Sequence, residues 1–113
     1  FGHMMARKIA GLDVGQTVVV KNMAVVAVES LEGTDATIVR GGGVAGEGVV
    51  VVKVARPQQD FRFDVPVIGP RTLESLRQAR ARILAVEAGR TIAMEMEEVL
   101  AGADAAGICV VGL

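Results

Sequence analysis

The sequence is poor in the residues that most often carry acid–base, nucleophilic and redox chemistry. Its 113 residues include one histidine, His3, one cysteine, Cys109, and no tryptophan or tyrosine. The opening Phe1-Gly2-His3-Met4 is typical of what a cleaved tag and cloning site leave behind, so we interpret residues 1–5 as a tag remnant and start. On that interpretation the native part has no histidine, which excludes histidine acid–base catalysis, Ser-His triads and histidine-ligated zinc. Catalysis would then need Asp, Glu, Lys, Arg, Ser, Thr, backbone amides or a hard metal ion.

An excess of charge and long apolar runs are also missing. Twelve basic and thirteen acidic residues balance almost completely, and with so few aromatic residues this argues against a nucleic-acid partner. The longest charge-free run, residues 105–113, is far too short to span a membrane. One cysteine excludes an intrachain disulfide, and its setting, Ile108-Cys-Val-Val111, is typical of a small buried strand residue.

The apolar pattern predicts a single small α/β domain, a mixed sheet with a β-hairpin and flanking helices. About half of the residues are hydrophobic, which is incompatible with disorder. After a lead-in at 6–16, the pattern predicts strands at 17–21 and 24–29 (the hairpin), 49–55, 83–87, 91–94 and 108–111. It predicts helices at 35–40 after a Thr34 cap, 73–82 after a Thr72 cap, and 95–106 ended by Gly107. The strand at 49–55 is apolar on both faces and should be central, and the glycine-rich stretch 41–48 is predicted to be a flexible loop.

The densest charge follows that central strand. Asp60, Arg62 and Asp64 alternate with Phe61 and Phe63, so an extended chain would point the charges to one side and the rings into the core. Such a row is either a structural ion-pair ladder or a site in which carboxylates bind Mg²⁺ and arginine binds phosphate. Residue spacing leaves both interpretations open.

A second acidic cluster lies where a strand leads into a helix, at Glu29, Glu32 and Asp35. Backbone amides there could bind phosphate and the carboxylates could bind a cation, although ordinary helix capping explains the same pattern. Glu87 and Arg90 are most simply a turn with a flanking ion pair, and the arginines at 77, 80 and 82 a solvated helix face.

Several motifs occur together in one order along the chain: Gly11-Leu-Asp-Val-Gly-Gln16, Glu29-Ser-Leu-Glu-Gly-Thr-Asp-Ala36, Lys53-Val-Ala-Arg-Pro-Gln-Gln-Asp60, Arg62-Phe-Asp-Val-Pro66 and Glu87-Ala-Gly-Arg-Thr91. In this combination the sequence resembles the C-terminal domain of the UDP-2,3-diacylglucosamine pyrophosphatases of lipid A biosynthesis, the family unrelated to calcineurin-like phosphoesterases. The resemblance implies that residues 6–113 are a C-terminal catalytic-type domain whose N-terminal partner domain is absent.

The resemblance also implies a reaction, namely hydrolysis of UDP-2,3-diacylglucosamine to UMP and 2,3-diacylglucosamine 1-phosphate with Mg²⁺ or Mn²⁺. It implies a cytoplasmic location with peripheral contact to the inner membrane, and low activity for this chain without its N-terminal domain. Pyrophosphate hydrolysis needs charge neutralisation and an oriented water, and these residue types can supply both. On this basis we assign catalysis to Asp35, Asp60 and Asp64, metal binding to Glu32, Asp60 and Asp64, and substrate binding to Thr34, Lys53, Arg56, Gln59 and Arg62. The alternative is a non-catalytic module that binds a phosphorylated ligand or forms a homo-oligomer.

Overall fold

Mixed α/β structure accounts for most of the chain that this computed structural model describes, which is residues 1–55, 67–87, 92–93 and 95–113. Along that part of the chain the elements are α1 (Gly2–Gly11), β1 (Thr17–Lys21), β2 (Ala24–Val28), α2 (Thr34–Ala45), β3 (Val50–Lys53), β4 (Val67–Ile68), α3 (Pro70–Gln78), β5 (Ile83–Val86), β6 (Ile92–Ala93), α4 (Met96–Ala106) and β7 (Cys109–Gly112). None of the helices in the described ranges is long and apolar enough to cross a membrane.

Five strands form the main sheet in the order β2-β1-β3-β5-β7. The hairpin strand β1 runs antiparallel to both β2 and β3, whereas β3, β5 and β7 are parallel to one another. The predicted hairpin and the central position of β3 are therefore confirmed. The two-residue strands β4 and β6 pair in parallel as a separate small sheet, and β4 was not predicted.

The sheet separates two apolar cores, because successive strand residues point to opposite faces. On one face Ile38 of α2, Leu76 of α3 and Ala103 of α4 pack with strand residues that include Val51 and Leu84. On the other face α1 packs Ala6 and Ala10 against strand residues that include Val18, Val52 and Ala85. The lead-in predicted for residues 6–16 was therefore wrong over residues 6–11, which belong to α1.

The register of the hairpin contains one irregularity, between the partners of Val19 and Val20. Val19 pairs with Ala27 and Val20 pairs with Val25, so Val26 is an extra residue on β2. As a result Val26 and Ala27, although consecutive, both pack on the core beneath α2. This is the geometry of a β-bulge in an edge strand.

The glycine-rich stretch is helical instead of the predicted loop, and α2 continues through Gly41, Gly42 and Gly43. Close packing explains these glycines. A Cβ added at Gly41 would lie 2.6 Å from Val19 Cγ1, and one added at Gly42 would lie 2.6 Å from Ala79 Cα. Any larger residue at these two positions would push α2 away from β1 and α3, so packing outweighs the low helix propensity of glycine.

Three smaller corrections concern helix starts and the cysteine. Thr34 is the first residue of α2 and Gly33 its N-cap. Gly69, not Thr72, is the N-cap of α3, and the Thr72 hydroxyl instead accepts the Gly69 N–H at 3.4 Å. Cys109 is exposed, because β7 is an edge strand and the Cys109 side chain is not covered. The predicted end of α4 is confirmed, since Gly107 has the left-handed conformation (φ 72°) that favours glycine.

Candidate functional site

The candidate site lies at the carboxyl ends of the three parallel strands β3, β5 and β7. In this subsection and the next, this end of the main sheet is called its edge. Lys53 ends β3 and pairs with Val86 of β5, which in turn pairs with Gly112 of β7. The antiparallel strand β1 begins at the same edge, since Thr17 pairs with Lys53. In open α/β sheets, ligands bind beyond the carboxyl ends of the parallel strands.

Three helices also begin at this edge. The connection from β2 to β3 runs through α2, and α3 and α4 precede the parallel strands β5 and β7. A helix N-terminus carries free N–H groups and a partial positive charge, which attract anions. No side chain in the described part of the chain caps the first turn of α2 or α4 with a hydrogen bond, so within that part the amides at the start of α2 are open to a phosphate oxygen.

Lys53 is the buried cation of the site, with 8% of its surface exposed. Its position at the end of the central strand is fixed by pairing on both sides, to β1 and to β5. A buried ammonium group at a ligand-binding edge is suited to neutralise phosphate charge, because the low dielectric there strengthens the attraction. Lys53 therefore lies at the end of the central strand, and its predicted role in substrate binding stays a prediction.

Thr34 lies in a hydrogen-bonded network that fixes the start of α2. Its hydroxyl donates to Glu29 Oε2 at 3.0 Å and lies 3.2 Å from the Thr17 hydroxyl. The other oxygen of Glu29 accepts the backbone N–H of Gln16 at 3.0 Å. Glu29 thus joins the lead into β1, the end of β2 and the first turn of α2, so Thr34 contributes to the position of this helix start.

Glu32 is held away from a metal-binding role by Arg40. The guanidinium of Arg40 contacts both Glu32 oxygens, with Nη2 on Oε1 and Nε 3.2 Å from Oε2, and the Thr37 hydroxyl donates to Oε1 at 3.1 Å. The hydrogen bond from Arg40 is the main reason that the pKa of Glu32 lies below its ordinary value. Burial opposes this lowering, and the hydrogen bond from Thr37 adds to it. A cation at Glu32 would have to displace this bidentate pair.

Asp35 is the predicted carboxylate that remains available in the described ranges. It lies in the first turn of α2 and is half-buried, where the helix dipole favours its negative charge. No group of three or more His, Cys, Asp or Glu side chains in the described residues is arranged to hold a metal ion. Within those residues, the Asp35 carboxylate has no side-chain partner, whereas that of Glu32 is paired with Arg40; the predicted roles of both stay predictions.

Glu87, which follows β5, joins this edge to α1. Its carboxylate is buried, with the residue 7% exposed, and it accepts the Ala55 N–H at 2.9 Å, Arg7 Nη1 at 2.8 Å and a contact from His3 Nε2 at 3.3 Å. Burial opposes ionisation, but these three donors outweigh it and hold the pKa of Glu87 below its ordinary value. The sequence indicated only a turn with an ion pair to Arg90. The partners Arg7 and His3 were missed because residues 1–11 were not predicted to be helical.

The remaining predicted site residues, Arg56, Gln59, Asp60, Arg62 and Asp64, lie outside the described residues, as do Phe61, Phe63 and Arg90. The predictions that concern them, including the proximity of Asp60 and Asp64 to Asp35, stay predictions.

The family model of the LpxI C-terminal domain matches residues 1–111. The chain belongs to this family. The interpretation of residues 1–5 as a tag remnant and start stays a prediction, although α1 begins at Gly2.

The chain is also similar to a curated protein and to a solved structure. The UDP-2,3-diacylglucosamine pyrophosphatase LpxI of Caulobacter vibrioides is 39% identical over 120 residues, an alignment that covers 96% of this chain and 42% of the relative. The chain thus spans less than half the length of that protein. A RibD structure from Acinetobacter baumannii matches 97% of this chain and 33% of its own, with a TM-score of 0.55 at 15% identity. At that identity the RibD likeness concerns the fold alone.

Proposed function

We propose that this chain supplies the charge-neutralising half of a UDP-2,3-diacylglucosamine pyrophosphatase. The observation that carries the proposal is the convergence, at one sheet edge, of the buried Lys53 and the open N-terminus of α2 with Asp35, in a family whose curated relative bears that name. The substrate of such an enzyme has two adjacent anionic phosphates, and this edge offers a cation and free amides to bind them.

The reaction consumes one water and breaks the bridging P–O bond. The water oxygen adds to one phosphorus, the bridging oxygen leaves with the other phosphate, and a proton is released. Lys53 and the first-turn amides of α2 would neutralise the charge that develops on the phosphate oxygens, as electrostatic stabilisation in phosphoryl transfer requires. No covalent nucleophile is needed.

A divalent cation, Mg²⁺ or Mn²⁺, would be held by Asp35 with Asp60 and Asp64, and would supply further neutralisation of the phosphates. Hard oxygen ligands suit these ions. Asp35 satisfies this requirement because no side chain in the described residues occupies its carboxylate. Arg56, Gln59 and Arg62 would contact the phosphates or the sugar. The cytoplasmic location, the peripheral contact with the inner membrane and the homo-oligomer remain sequence-based predictions.

The proposal is tested by divalent-cation-dependent hydrolysis of UDP-2,3-diacylglucosamine, with the product UMP measured. In protein that includes the N-terminal domain, Asp60→Asn and Asp64→Asn should each lower kcat by roughly 10²–10³-fold, the range seen when one stabilising group is removed. Asp104→Asn is the matched control, because Asp104 is exposed near the end of α4, away from the edge. The present chain alone should hydrolyse substrate far more slowly, since half of a cleft leaves the phosphates solvated.

Two results would contradict the proposal. Asp60 and Asp64 variants that keep kcat and lose only affinity would favour the alternative of a binding module. Full activity of the present chain without the N-terminal domain would refute the division of the active site between two domains.

A further inference from the structure

An open cavity lined by several charged residues lies at the opposite edge of the main sheet, where β3, β5 and β7 begin. It has a volume of about 550 Å³ and is lined by Lys21, Asn22, Glu47, Gly48, Val50, Arg80, Ala81, Arg82 and Gly107. Val50 pairs with Ile83, whereas Lys53 at the candidate site pairs with Val86, so the strands separate the two places. The volume is in the range of small-molecule sites.

The charged side chains of this cavity are mostly cationic. The lining includes the cations Lys21, Arg80 and Arg82 and one carboxylate, Glu47. The Lys21 ammonium donates to the Ala45 carbonyl at 2.9 Å, but both arginines are exposed. Neither arginine side chain has a hydrogen bond or ion pair to any residue in the described ranges. Guanidinium groups that line one cavity without a carboxylate partner in the described residues are suited to bind a phosphate.

The backbone holds Arg80 and Arg82 in fixed positions. Gly48 N–H donates to the Arg80 carbonyl at 2.9 Å, and Arg82 N–H donates to the Val49 carbonyl at 2.8 Å. The Arg82 carbonyl accepts the N–H of Cys109 at 3.0 Å. These bonds join three neighbouring segments around the cavity. The backbone at both arginines is therefore fixed before binding, and only their side chains lose conformational entropy when a ligand binds.

Arg80 has an unfavourable backbone conformation for its residue type. It follows Ala79, the C-cap of α3, and has a φ of 53° in the left-handed region. The bonds Ala81 N–H to Leu76 O and Arg80 N–H to Arg77 O complete the helix ending in which glycine is usually found at this position. An arginine where glycine would be less strained suggests that its side chain is used.

We propose that this cavity binds a phosphate group through Arg80 and Arg82, with Lys21 at its rim. The phosphate belongs either to a soluble phosphomonoester or to the headgroup of an anionic lipid, and both present the same oxygens to the guanidinium groups. The site is separate from the proposed hydrolytic site and does not depend on it.

The first experiment is a titration of the isotopically labelled chain with inorganic phosphate at constant ionic strength, followed by amide NMR. Saturable shifts are expected at Gly48, Arg80, Arg82 and Gly107. Arg80→Gly should weaken the apparent affinity roughly tenfold, as loss of a charge-assisted hydrogen bond does, and its melting temperature should be unchanged or higher because the strained residue is gone. Arg82→Gln should weaken binding similarly. Lys8→Gln, which removes one exposed positive charge from α1, should leave binding unchanged.

A second experiment distinguishes the source of the phosphate. Vesicles of phosphatidylglycerol that sediment the wild-type chain and the Lys8→Gln variant but not Arg80→Gly, while phosphatidylcholine vesicles sediment none, would identify a lipid headgroup. Saturable binding of free phosphate without vesicle binding would identify a soluble ligand. The proposal is overturned if neither probe binds, or if Lys8→Gln weakens binding as much as the two cavity variants do, because the effect would then be one of general charge.

Discussion

The packing of α2 against α3 can be tested by the same substitution at two consecutive glycines. In Gly42→Ala the new methyl would lie 2.6 Å from both Cα and Cβ of Ala79 and 2.8 Å from its carbonyl oxygen, whereas carbon atoms in contact are about 3.5–4.0 Å apart. Because the obstacle is backbone, α2 and α3 must separate by about 1 Å, and overpacking of this kind costs about 1–3 kcal/mol.

The neighbouring Gly43→Ala should have the opposite sign. A Cβ at Gly43 meets nothing within 4 Å, so only the gain in helix propensity remains, which is about 0.5–1 kcal/mol. For Gly42→Ala the same gain offsets part of the clash and leaves a net loss of about 0.5–2 kcal/mol. For a domain of this size the melting temperature should fall by about 2–8 °C for Gly42→Ala and rise by about 2–4 °C for Gly43→Ala.

Thermal and urea unfolding followed by far-UV circular dichroism would measure both changes. The pair is well matched, because two adjacent Gly→Ala substitutions have nearly the same effect on the unfolded chain, and that effect cancels in their difference. If both variants were stabilised equally, or both were neutral, Gly42 would not lie in a helix packed against α3, and the close-packing explanation for these glycines would be wrong.

Two further predictions concern Glu87 and Cys109. Because its pKa is lowered in the folded chain, Glu87 stabilises the fold above the ordinary glutamate pKa, and this contribution is lost as the pH falls through the lowered value. We therefore expect the free energy of unfolding to decrease below about pH 4.5, and to decrease less in Glu87→Gln, in urea titrations across that range; equal acid sensitivity of the two proteins would contradict the role of the Arg7, His3 and Ala55 donors. Cys109, being exposed on an edge strand, should react with a thiol reagent in the native chain at a rate close to that in urea, and slow labelling limited by unfolding would show that it is buried.

The sequence predicted the parts of the fold that local pattern determines. The central position of β3 followed from apolar residues on both faces, and the end of α4 followed from Gly107. The pattern failed where tertiary contacts override local preference, as at Gly42, whose low helix propensity suggested a loop although Ala79 leaves no space for a larger residue. It failed at Cys109 because an apolar strand sequence does not show which strand lies at the edge.

For the candidate site, the sequence placed Thr34 and Asp35 at the start of a predicted helix, where α2 begins, and placed Lys53 inside the predicted strand 49–55, whereas it is the last residue of β3. It could not show that Glu32 pairs with Arg40, because either ordinary capping or metal binding fits the same spacing. The contact of Glu87 with Arg7 joins residues 80 positions apart, and no local pattern reports such a contact. The available signal for Glu87 was its position directly after the predicted strand at 83–87, because residues that follow parallel strands meet at one end of the sheet and are candidates for a site.

The bulge at Val26 affects how copies of this chain behave towards one another. Strand β2 consists only of alanine and valine and lies at the edge of the sheet, a composition that favours pairing with the edge of another molecule. The net charge of −1 gives little mutual repulsion to prevent it. The extra residue breaks the regular spacing of the outward N–H and C=O groups and increases the local twist, so a second β2 cannot align with this edge over its full length. In the described sheet, pairing between two β2 edges is therefore opposed by an irregularity of one residue more than by charge.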